Sequence, residues 1–99
     1  MNGPVKYVEA DIDEFFVDTV HNAGGVTERI QYRGKRGAAD HLTGFPYNRL
    51  FLVELKRPKG GKISKLQVLD ADRWFDIGVE KVYLRNYAEV VQWVSKVRA

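Results

Sequence analysis

The chain has 99 residues, 44% of them hydrophobic and 29% charged, with no cysteine and a formal net charge of +3. This predicts a single globular domain over residues 1–99 with one core, and it excludes disulfides, thiolate metal sites and a thiol nucleophile. Residues 1–6 hold no apolar run of the signal-peptide kind, and no stretch reaches the roughly 18–20 apolar residues of a membrane span, so a soluble, cytoplasmic protein with no membrane partner is expected.

Residues 8–23 predict a helix, because Val8, Ile12, Phe15, Phe16, Thr19 and Val20 recur at spacings of three and four and form one apolar stripe. Gly24 and Gly25 end it. The acids Glu9, Asp11, Asp13, Glu14 and Asp18 gather here. Residues 26–32 predict a strand carrying Val26, Ile30 and Tyr32, followed by a glycine-punctuated basic loop with Arg33, Lys35 and Arg36. A short strand is expected over residues 39–43, and Gly44-Phe45-Pro46-Tyr47-Asn48 supplies turn residues. Residues 49–56 give the strongest strand; its run Leu50-Phe51-Leu52-Val53 predicts burial on both faces in the middle of a sheet.

Pro58 and Gly60-Gly61 break the chain next. A second helix is expected over residues 64–77, opened by Ser64 and Gln67 at capping-box spacing and packed through Leu66, Leu69, Ala71, Phe75 and Ile77. A strand over 81–84 and a helix over 87–97, with Val90, Val91, Val94 and Val97 on one side, complete the order αβββαβα. That order makes an α/β fold, a mixed sheet flanked by helices.

Chemistry concentrates in Glu54-Leu55-Lys56. Residues two apart on a strand face the same way, so Glu54 and Lys56 share one side and Leu55 takes the other. Alone, such a triplet reads as an ion pair at a strand end. Asp40 changes the weighing, because a hairpin turning near Phe45 to Asn48 brings it beside Glu54, and opposed residues have Cβ atoms about 4.5–5.5 Å apart. Two carboxylates about 4 Å apart repel by roughly 4 kcal/mol at an effective dielectric near 20. A divalent cation relieves this better than Lys56 alone, and oxygen-only ligation points to Mg²⁺ or Mn²⁺. The plain alternative is that Asp40 is a solvated acid near a turn. His41 follows Asp40 and should face the opposite side, away from any such site. Trp74, Phe75, Tyr83 and Trp93 read as core or subunit interface, not as stacking platforms for bases.

From residue 56 to 65 there are five cations, Lys56, Arg57, Lys59, Lys62 and Lys65, and no acid. Together with Arg33, Lys35 and Arg36 they flank the acids, so phosphate contact is expected of both groups; the alternative is a solvated surface.

The pattern Gly37-Ala38-Ala39-Asp40, then Leu52-Val53-Glu54-Leu55-Lys56, then Gly61-Lys62-Ile63-Ser64-Lys65-Leu66-Gln67 resembles the VRR-NUC family, in its stand-alone phage-type form. This is the virus-type replication-repair nuclease branch of the PD-(D/E)XK superfamily. The resemblance implies a restriction-endonuclease-like core in which Asp40 and Glu54 bind Mg²⁺ or Mn²⁺ and the Leu55 carbonyl completes the shell. It makes Lys56 the catalytic lysine and places Gln67 near the site. It also calls for an acid from the first helix; Glu9 fits best and Asp13, one turn later, competes. Ala39 stands where the motif's name has proline. The activity implied is DNA phosphodiester hydrolysis by a homodimeric Holliday junction resolvase acting on branched DNA, with no small-molecule cofactor. Flap or nicking activity, or a non-catalytic DNA-binding protein on the same fold, are the alternatives.

Overall fold

The computed structural model describes residues 9–30, 40–56 and 62–98. In chain order the elements are α1 (Glu9–Asn22), β1 (Val26–Arg29), β2 (His41–Phe45), β3 (Arg49–Leu55), α2 (Lys65–Phe75), β4 (Glu80–Leu84) and α3 (Tyr87–Val97). This is the αβββαβα order that the sequence predicts. The four strands form one mixed sheet in the order β1-β2-β3-β4. The first three make an antiparallel meander, and β4 adds parallel to β3 after the α2 crossover. Among the described residues no helix is long and apolar enough to cross a membrane.

Several boundaries differ from expectation. Gly44 and Phe45 belong to β2, which pairs as far as Phe45↔Arg49 and leaves a turn of Pro46, Tyr47 and Asn48. Tyr47 and Asn48 both have positive φ, and this left-handed bend reverses the chain in fewer residues than the composition suggested. Ala39 and the 31–32 end of the first predicted strand lie outside the described residues. Gly24, at φ 87, ends α1 as expected, and Gly25 donates back to the Val20 carbonyl at 2.9 Å.

The two sheet faces have different chemistry. On one face α1 and α3 pack over the odd positions of β2 and β3. Ile12, Phe16, Val20, Phe45, Val53, Leu55, Leu84, Val90 and Val94 form that core. Trp93, partly buried, packs against this core, edge-on to Phe51 and Phe45 at centroid distances of 5.1 and 5.9 Å. Val91, expected beside Val90, is exposed because it lies on the outer side of α3.

The other face carries Glu54 of β3 and Lys81 of β4, and α2 lies over β4. Here the sequence reading fails. Leu66, Leu69, Phe75 and Ile77 were expected to pack inward, yet all four are exposed, and the buried residues of α2 are Gln67 and Asp70. The cause is electrostatic: buried Glu54 and Lys81 need polar partners, which an apolar helix face could not supply. Leu50, expected to be buried on a central strand, is 44% exposed for a related reason. It lies toward the turn on the Glu54 face, out of reach of the α1–α3 core.

Candidate active site

Asp40 stands one residue before β2. Its N–H donates to the Val53 carbonyl at 3.1 Å and its own carbonyl accepts from the Ile30 N–H at 2.9 Å. Counting back one step from the pair His41↔Val53 sets Asp40 against Glu54. The Asp40 side chain reaches along β3, where Oδ2 accepts from the Leu55 N–H at 2.9 Å. Leu55 thus places its side chain in the core and its amide on the acid.

Glu54 is 7% exposed. Its Oε2 accepts from Gln67 Nε2 at 2.8 Å and lies 3.5 Å from Lys56 Nζ. Its Oε1 is buried with no hydrogen-bond partner among the described residues. Burial pushes the Glu54 carboxyl above its usual range, the Asp40 charge pushes it further, and Lys56 and Lys81 pull it back.

Gln67 ties these groups together. Its Oε1 accepts from Lys56 Nζ and from the Ser64 N–H, both at 2.9 Å, while its own N–H donates to Ser64 Oγ at 3.1 Å. The same side chain therefore makes the capping box and the contacts with Lys56 and Glu54. One helical turn on, Asp70 meets Lys81 Nζ at 3.5 Å, with both side chains almost fully buried. The sequence reading missed this pair; the signal available was the spacing of three between Gln67 and Asp70, which puts both on one side of α2.

Other site expectations divide. Glu9 belongs to α1, but its side chain lies outside the described residues, as do Arg33, Lys35, Arg36, Arg57 and Lys59. Lys62 and Lys65 are exposed just before and at the start of α2. Asp13, the competing first-helix acid, contacts the Arg29 guanidinium and lies 2.5 Å from His41 Nε2. His41 points into the core, away from Glu54, as strand alternation predicted. Burial pushes its imidazole below the usual range, Asp40 opposes this and Arg29 adds to it.

The donor set suits a hard divalent cation: two carboxylates on neighbouring strands, with an unpartnered buried oxygen on one of them. Among the described residues no cluster of three or more His, Cys, Asp and Glu side chains forms, so the two acids are the candidate ligands present.

A phage protein described as "Putative nuclease p44", from Acyrthosiphon pisum secondary endosymbiont phage 1, is 30% identical over 76 residues, which span 77% of this chain and 81% of that protein. A solved structure described as "VRR_NUC domain" superposes with a TM-score of 0.78 over 88% of this chain and 94% of its own, at 21% identity. No family model matches the sequence.

Proposed function

The chain belongs to the family of the phage putative nuclease and has the fold of a VRR_NUC domain, and from that premise we propose that it is a metal-dependent, structure-specific DNA endonuclease of the PD-(D/E)XK type. One observation carries the metal assignment: the buried, unpartnered Oε1 of Glu54 beside the Asp40 carboxylate. Asp40, Glu54 and the Leu55 carbonyl are the proposed ligands, with Glu9 as the first-helix acid. A divalent ion held there, Mg²⁺ or Mn²⁺, would polarise a phosphoryl oxygen and lower the pKa of a bound water.

The chain's own groups do the rest. Lys56 keeps its ammonium 3.5 Å from Glu54 Oε2, next to where negative charge grows on the scissile phosphate. Gln67 holds Lys56 and one oxygen of Glu54 in place, which leaves the buried Oε1 as the carboxylate oxygen without a hydrogen-bond partner among the described residues. Lys62 and Lys65, with Arg33, Lys35, Arg36, Arg57 and Lys59, contact the phosphates of the flanking DNA.

The substrate we propose is branched DNA, a four-way junction resolved by a homodimer. A two-fold enzyme places two sites on a two-fold junction, and the outward Leu66, Leu69 and Phe75 of α2, with Ile77 in the turn after it, supply apolar surface for the second subunit. The test is cleavage by purified protein with Mn²⁺ of four-way junctions, flaps and plain duplex, with Lys56→Ala as control. Paired symmetric incisions across the junction support the resolvase. Cleavage of flaps alone assigns a different branched substrate. Junction binding without cleavage under any divalent ion reduces the protein to a DNA-binding module.

A further inference from the structure

We propose that His41 and Asp13 form a positioning pair, a strut between α1 and β2 that fixes Asp40 for its role in the site. The inference rests on the nuclease reading above for its purpose, but not for its geometry.

His41 is fully buried, adjacent in sequence to Asp40, and its ring packs 5.1 Å from that of Phe16. The surrounding layer is mostly apolar, and its other polar side chains on β1 and β2, Thr27 and Thr43, satisfy each other at 2.7 Å. An imidazole is a poor choice there on packing grounds, and Nδ1 has no hydrogen-bond partner among the described residues. A phenyl ring would fill similar space without an unsatisfied buried nitrogen. What the imidazole adds is Nε2, which meets Asp13 Oδ1 at 2.5 Å across the layer boundary. Asp13 also contacts Arg29, which is paired with His41 in the β1–β2 register. Three elements thus converge one residue from Asp40.

The placement of this bond is informative. Asp13 lies one helical turn after Glu9, so a link at Asp13 fixes the turn of α1 that carries the proposed first-helix acid. His41 fixes the strand end where Asp40 holds the Leu55 amide. The strut therefore joins the two segments that must hold their acids at a constant separation. Neither residue touches the proposed ion or the DNA. Both act through Asp40 and α1, so the effect belongs to orientation.

The experiment compares the parent with His41→Phe, Asp13→Ala and Asp13→Asn. Amide exchange at Leu55 followed by NMR reports directly whether the Asp40 carboxylate stays in place. Calorimetric Mn²⁺ binding and the separate kcat and KM for junction cleavage report the consequence. We expect His41→Phe and Asp13→Ala to remain folded, with Leu55 exchange faster and Val53 exchange unchanged. Mn²⁺ binding should weaken roughly tenfold, as when partners that orient ligands are removed, and kcat should fall with KM little altered. Asp13→Asn keeps an acceptor for Nε2–H and should recover most of both. Unchanged Leu55 exchange in folded Asp13→Ala overturns the proposal, whatever His41→Phe does. A parent that neither binds Mn²⁺ nor cleaves DNA defeats the nuclease reading instead, and Leu55 exchange still decides the strut.

Discussion

The Leu55 amide donates to the Asp40 carboxylate at 2.9 Å, so the backbone of the strand that carries Glu54 and Lys56 also holds the acid of its neighbour. One carboxylate oxygen of Asp40 is thereby given a structural task. The roles of shape and charge at this position can be separated by substitution. Asp40→Asn retains a carbonyl oxygen for the Leu55 amide and should change unfolding free energy by less than about 0.5 kcal/mol. Asp40→Ala leaves that amide without its acceptor and should cost about 1–3 kcal/mol. Both should abolish Mn²⁺-dependent cleavage. Urea denaturation beside a junction assay checks the pair; equal stability of the two variants would show that the hydrogen bond contributes nothing.

Glu54 makes a pH-dependent prediction. Its folded pKa is raised above the ordinary 4.5, first by burial and then by Asp40. The folded state therefore holds the proton more tightly than the unfolded chain does. Stability falls as pH climbs from 4.5 through the raised value, and the penalty is complete above it. Glu54→Gln removes the penalty and should be more stable than the parent by about 1 kcal/mol at pH 8, as active-site neutralisations often are. The difference should fade toward pH 4. Added Mn²⁺ should raise the parent's melting temperature and leave that of Glu54→Gln unmoved. Melting curves at two pH values, with and without the ion, are sufficient.

Asp70 and Lys81 offer a double-mutant cycle. Each alone leaves a buried charge opposite a neutral group, so Asp70→Leu or Lys81→Met should cost about 3–5 kcal/mol. The double variant should recover part of the loss, since apolar groups of similar size fill the same space while Glu54 still loses the nearby Lys81 charge. Additive losses would show that each residue is anchored by other neighbours, not by its partner.

The outward residues of α2 and of the turn that follows it bear on assembly. If they form the homodimer surface, Leu69→Asp with Ile77→Asp should convert a dimer to a monomer by light scattering and replace paired junction incisions by single nicks. Mn²⁺ affinity per chain should be unaffected. A parent that is already monomeric at micromolar concentration removes the proposed interface.

How much of this was legible in the sequence depended on the physics involved. Strand alternation put Glu54 and Lys56 on one face and His41 on the face opposite Asp40, because a period of two is rigid. The hairpin put Asp40 near Glu54 even with β2 misplaced by two residues, since pairing distance tolerates a small boundary error. The capping role of Gln67 was readable from its spacing to Ser64, whereas its place beside Glu54 was implied only by the family resemblance. The inward face of α2 was not, because reading a helix by its apolar stripe presumes that the sheet beneath is apolar, and Glu54 and Lys81 make it charged. The Asp13–His41 contact was equally hidden. Its partners are 28 residues apart and join only when α1 packs on the sheet.

β3 and the residue after it send Val53 and Leu55 into the hydrophobic layer and Glu54 and Lys56 to the face where Asp40 lies. Foldedness and chemistry therefore share a single reading frame. A shift of one residue at the Pro46–Asn48 bend would turn two charges inward and two aliphatic chains outward at once, so a misaligned molecule has no stable form in which to persist. Lengthening or shortening that bend is compatible with a working protein only when the alternation is restored before residue 53.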